Sequence, residues 1–75
     1  MAPGALEALT KEMIYIAVSV SNSCPYCVAS HTAAARKAGM TDPMFGELMA
    51  VVGMASETNR LATDYRVPID ATFEQ

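Results

Sequence analysis

SNSCPYCVASH, residues Ser21 to His31, is the stretch on which the fold turns. Its two cysteines stand three apart and its histidine four beyond the second, so a helix puts Cys24, Cys27 and His31 along one stripe about two turns long. Local signals favour that helix. Ser21-Asn22-Ser23 breaks the apolar run before it, Cys24 stands where an N-cap belongs, and Pro25 takes the first helical position, where its missing N–H costs nothing. The helix continues through Val28, Ala33, Ala34 and Ala35 to Ala38. Arg36 and Lys37 complement the dipole in its last turn, and Gly39 supplies a left-handed stop.

Downstream, Asp42-Pro43 repeats the cap-then-proline signal. Behind it Phe45, Leu48, Met49, Val52, Met54 or Ala55, and later Leu61 or Ala62, mark a long helix to about Asp64 that tolerates Gly46 and Gly53. Val67-Pro68-Ile69-Asp70 is extended, since Pro68 disfavours a helical Val67. Upstream, Leu6, Leu9, Met13, Ile16 or Ala17, and Val20 fall at helical spacing, with Thr10 as a cap or first-turn residue. Met13 to Val20 is also apolar and rich in β-branched residues, so a buried strand competes there. With no repeat or linker, residues 1–75 read as a single domain.

A chain of 75 residues buries a smaller share of its surface than an average domain does. Yet 52% of the residues are hydrophobic, six of them methionine, which is more than a small three-helix unit can hide. The surplus points to an oligomer interface. A net charge of −3 and only one adjacent pair among the basic residues, Arg36-Lys37, leave no electrostatic footprint for nucleic acid or an anionic membrane. The first residues lack the pattern of a signal peptide and no apolar run is long enough to span a bilayer, so a cytoplasmic protein is expected. In that reducing compartment a Cys-x-x-Cys pair is more often catalytic or metal-binding than a permanent staple.

At the start of a helix, unpaired N–H groups and the positive end of the dipole favour thiolate over thiol, and the thiolate is the nucleophile. By this argument Cys24, at the N-cap, is the more thiolate-like of the pair. A histidine on the same stripe can accept a proton from Cys27 or return one to a leaving group. The chemistry this suggests is oxidation of one thiol to a sulfenic acid, condensation with its neighbour to a disulfide, and reduction by an external dithiol. It requires no metal or organic cofactor.

Other readings compete. A closed zinc site wants four ligands, and Cys24, Cys27 and His31 would need Glu12 or a second subunit to complete the set. Haem attachment needs a histidine directly after the second cysteine, where Val28 stands. A structural disulfide within one turn would cross-link almost no chain. Cys-Pro-Tyr-Cys is also the motif of glutaredoxins, with Met13 to Val20 as the preceding strand and Val67-Pro68 mimicking their Val-Pro. Against that reading, residues 42–64 form one helix with no strand before it, nothing after Pro68 supplies a closing hairpin, and His31 and Glu12 have no part to play.

Taken together, Glu12, the Cys24-x-x-Cys27-x-x-x-His31 motif, Ala34-Ala35-Arg36-Lys37-Ala38-Gly39 and Asn59-Arg60-Leu61-Ala62 resemble the core domain of the alkylhydroperoxidase AhpD and carboxymuconolactone decarboxylase superfamily. The resemblance covers nearly the whole chain. It implies an all-α core completed by oligomerisation, commonly as trimers or hexamers, and hence a helix from Leu6 to Val20. It also implies reduction of hydroperoxides, with Cys27 peroxidatic, Cys24 resolving, and Glu12 and His31 relaying protons. That order of the cysteines is the reverse of the one the N-cap position suggests. A dithiol or thioredoxin-like donor would regenerate the pair. In spacing alone Glu12 is a solvated helix residue; its place twelve before Cys24 is the family's. The best-known alkylhydroperoxidase carries a further histidine just before its second cysteine, where this chain has Tyr26. Besides peroxidase activity, general dithiol-disulfide exchange and a non-catalytic zinc-binding or oligomerisation module stay open.

Overall fold

Each of the three helices stops in the same way. A computed structural model describes residues 1–74, with helices α1 (Ala8–Ser21), α2 (Pro25–Lys37) and α3 (Asp42–Asp64) followed by a short 3-10 turn, Ala71–Phe73. At the end of α1 the N–H of Cys24 donates to the Ser19 carbonyl and that of Ser23 to Val20. Met40 to Ala35 and Gly39 to Arg36 repeat this pairing after α2, and Val67 to Ala62 and Arg66 to Thr63 repeat it after α3. These are Schellman motifs, which satisfy the last carbonyls of a helix through one residue in the left-handed region. Gly39 (φ 110°) serves after α2 as its sequence suggests; Ser23 (φ 57°) and Arg66 (φ 54°) serve after α1 and α3.

No strand occurs among the described residues, and the β-branched run before Ser21 is helical. Glu12, Ile16 and Ser19 are its buried residues, at a spacing of four and three, which is a helix face. The start of α1 lies at Ala8, two residues later than the expected Leu6. Its N-cap is Glu7 in an extended conformation, and its side chain makes no capping bond. With no capping side chain to mark the boundary, packing sets it, and Leu6 lies outside, half exposed. A second correction concerns α3. Its N-cap is Thr41, whose Oγ1 accepts from the Met44 N–H at 3.3 Å, while Asp42 sits inside the first turn. There its carboxylate accepts from Arg36 at 2.7 Å, and the Arg36 guanidinium also lies 5.4 Å from the Phe45 ring centroid, which ties the corner between α2 and α3.

Helix α1 is central and packs against both α2 and α3. Ile16, Ala35 and Met40 form the buried core, with Leu9, Met13, Val20, Met44, Phe45 and Leu48 packed around them. Val52 is the last buried residue in the described chain. The apolar face expected to continue along α3 through Met54 and Leu61 lies open to solvent. Accordingly the radius of gyration is 14.9 Å, against about 11 Å for a compact chain of this length. No helix among the described residues is long and apolar enough to cross a membrane.

Candidate active site

Cys24 caps α2 with its sulfur: Sγ accepts from the Cys27 N–H at 3.3 Å, and its own N–H closes the turn after α1. Cys27, one turn into the helix, is joined to Cys24 by a disulfide with 5.3 Å between the Cα atoms. Both are half-buried. A stripe that spacing along one helix suggests therefore exists, with the two sulfurs at the first turn and His31 on the next.

The deciding contact crosses from α1 to α2. Glu12 is only 4% exposed, and its carboxylate accepts from His31 Nδ1 at 3.1 Å through Oε2 and 3.3 Å through Oε1. A buried carboxylate needs such a partner, because ionised groups removed from water are costly unless paired and hydrogen-bonded. The contact also fixes the imidazole chemically. With Nδ1–H directed at a carboxylate, Nε2 is the nitrogen left to exchange a proton. Glu12 is thus not the solvated helix residue its spacing suggests; α1 turns it into the core one turn before Ile16.

Two neighbours of the pair share the face of α1 that carries Glu12. Tyr15, one turn beyond Glu12, stacks on the imidazole of His31, with ring centroids 3.5 Å apart and planes 18° from parallel. Ser19, a turn further on, is buried, and its carbonyl receives the Cys24 N–H. Residues 12, 15 and 19 share one helix face, so the 3–4 spacing from Glu12 was the available sign. Tyr26, by contrast, is 82% exposed. The Asn59-Arg60-Leu61-Ala62 segment lies on the exposed second half of α3, where Arg60 pairs with Asp64 at 2.7 Å.

Beside the disulfide opens a cleft of about 360 Å³ lined by Lys11, Ile14, Tyr15, Val18, Cys24 and Cys27, among others. Its walls are mostly apolar side chains, with the disulfide at one side. A small organic molecule placed there would contact sulfur directly. The arrangement joins a disulfide-bonded cysteine pair, a carboxylate-bound imidazole and an apolar cleft.

Comparison with known proteins bears on the family and the fold. The carboxymuconolactone decarboxylase family matches residues 1–67. A crystal structure of an alkylhydroperoxidase AhpD core from Rhodospirillum rubrum superposes with a TM-score of 0.93 at 52% sequence identity, over 97% of this chain and 54% of that one. A Paracoccus denitrificans protein described as uncharacterized protein 4 in cox locus is 36% identical over 56 residues, which are 75% of this chain and 48% of the relative. The chain therefore spans about half the length of either protein. The resemblance read from the cysteine and histidine motif, and the all-α class it implied, both hold.

Proposed function

The chain belongs to the carboxymuconolactone decarboxylase family, and from that premise we propose that it reduces hydroperoxides through the Cys24/Cys27 dithiol as an AhpD-like alkylhydroperoxidase. The observation that carries the proposal is the contact between buried Glu12 on α1 and His31 on α2, the helix that also carries the cysteine pair. Such a pair holds one imidazole nitrogen and leaves the other to move a proton beside the dithiol.

In the reduced enzyme the Cys27 thiolate attacks the outer oxygen of the hydroperoxide. An S–O bond forms, the O–O bond breaks, and the alcohol leaves with a proton delivered from His31, which Glu12 holds at Nδ1. Cys24 then attacks the resulting sulfenic acid: the S–S bond forms and water departs. An external dithiol reduces the disulfide by exchange and is itself oxidised to a disulfide. The balance is one hydroperoxide and one dithiol to one alcohol, one water and one disulfide. Cys27 is assigned the attack because the family resemblance implies it; the cleft is lined by both cysteines and by Tyr15, the partner of His31.

The reading extends to assembly and location. Residues 1–75 act as one domain, copies of which cover the exposed apolar side chains Val51, Met54 and Leu61 of α3 in a homotrimer or hexamer. The proposed dithiol or thioredoxin-like donor belongs to reducing compartments, which supports a cytoplasmic location. Stopped-flow oxidation of the reduced protein by a panel of hydroperoxides tests the activity, with turnover on a small disulfide as the comparison. Saturable consumption of hydroperoxide that is lost in Cys27→Ser supports it, whereas faster turnover on the disulfide with sluggish peroxide reaction would replace it with dithiol-disulfide exchange.

A further inference from the structure

We infer that Tyr15 is a positioning residue for His31, an inference that rests on the dithiol reading above. The imidazole is held at two places of different kind. Its Nδ1 edge is fixed by the Glu12 carboxylate at 3.1 Å, and its face is covered by the Tyr15 ring at 3.5 Å and 18°. One hydrogen bond leaves a ring free to pivot about the donor–acceptor line, so the unbound nitrogen sweeps an arc. A second, planar contact removes that pivot and leaves Nε2 pointing one way. Because Glu12 and Tyr15 stand three apart on α1, a single rigid helix carries both restraints. The cysteine pair and the imidazole share one stripe at the start of α2, so a restraint carried by α1 acts on a ring one turn from Cys27.

Position matters to the rate. A well-placed general acid or base contributes roughly 10²–10⁴-fold, and a displacement of about 1 Å in a reacting group forfeits a large part of such a gain. Tyr15 also lines the cleft beside Cys24 and Cys27, which makes a second role, that of a wall for bulky substrates, the competing explanation. Substrate size separates the two. Hydrogen peroxide is too small to depend on a wall, whereas both it and cumene hydroperoxide depend on the proton relay.

The test compares Tyr15→Ala and Tyr15→Phe, each first shown by circular dichroism to keep its helix content and melting profile. Tyr15→Ala is expected to slow Cys27 oxidation about tenfold with both peroxides, and Tyr15→Phe, which keeps the stack, to stay within about twofold of the parent. His31 is the chain's single histidine, so its ring protons report unambiguously in the NMR spectrum. They should be shifted upfield by the stacked ring in the parent and in Tyr15→Phe, and released in Tyr15→Ala. A loss confined to cumene hydroperoxide, or parent rates in Tyr15→Ala, would overturn the assignment. Should the parent reduce neither peroxide, the peroxidase reading fails by itself. The NMR signature and the alkylation rate of reduced Cys27 by iodoacetamide then decide the role of Tyr15, an unchanged rate in Tyr15→Ala refuting it and a slower one, rescued in Tyr15→Phe, sustaining it.

Discussion

His31 Nδ1 lies 3.1 Å from the carboxylate of Glu12, a residue 4% exposed, across the interface between α1 and α2. The two halves of this pair respond differently to removal. His31→Ala leaves a buried carboxylate without its donor and should cost about 2–3 kcal/mol of stability. Glu12→Gln keeps a hydrogen bond of the same length without the charge, and should cost about 1 kcal/mol while lowering peroxide reduction by roughly 10²-fold. Chemical denaturation and stopped-flow oxidation of the two variants, taken side by side, check the order in each property.

Cys24 and Cys27 are joined in the structure but are assigned unequal roles. Cys27→Ser should abolish hydroperoxide consumption. Cys24→Ser should retain a single turnover that stops at the sulfenic acid, detectable by mass spectrometry after trapping with dimedone. A trapped sulfenic acid on Cys24 in the Cys27→Ser protein, with none in the converse variant, would reverse the order of the two cysteines, as the N-cap position of Cys24 suggests.

Helix ends make a local prediction. Gly39 has φ 110°, and although a Cβ there would meet nothing within 4 Å, the conformation itself resists a side chain. Gly39→Ala should therefore destabilise by about 1–2 kcal/mol. Thr41→Ala, which removes the cap of α3, should cost about 1 kcal/mol. Ser23 occupies the corresponding position after α1 at φ 57°. Ser23→Gly relieves the same strain and should raise stability by up to about 1.5 kcal/mol, the net of about 1–2 kcal/mol gained and about 0.5–1 lost to chain entropy. Urea midpoints of the three variants provide the measurement.

Apolar side chains left uncovered on α3 predict self-association. Met54→Asp, at a residue 64% exposed, should leave the helix content unchanged and shift the sedimentation coefficient toward that of a single copy. Ala71, in the terminal 3-10 turn, is far from that face in sequence and serves as the control: Ala71→Asp should leave assembly as it is. A parent protein that sediments as a monomer at high concentration would contradict the assembly outright.

Much of this molecule is written in local pattern. The cap-and-proline start of α2, the Gly39 stop and the long periodicity of α3 depend on residues within a turn of one another, and each is recovered within one or two positions. The motif Cys24-x-x-Cys27-x-x-x-His31 likewise follows from helical spacing alone. Other features depend on groups distant in the chain. Whether Met13 to Val20 is strand or helix depends on what it packs against, and α2 and α3 decide for helix by accepting a single buried face. Ser23 holds a left-handed conformation that its side chain does not favour, since the packing of α1 against α2 fixes where the chain must turn, whereas Arg66 holds one at the exposed end of α3. Glu12 and His31 are nineteen residues apart, and Tyr15 stacks on the same imidazole. Sequence by itself determined the second and third helices and the spacing of the sulfur pair to His31; only the tertiary structure settled α1 as a helix and brought a buried carboxylate and an aromatic ring to one histidine, because contacts between helices have no spacing to read.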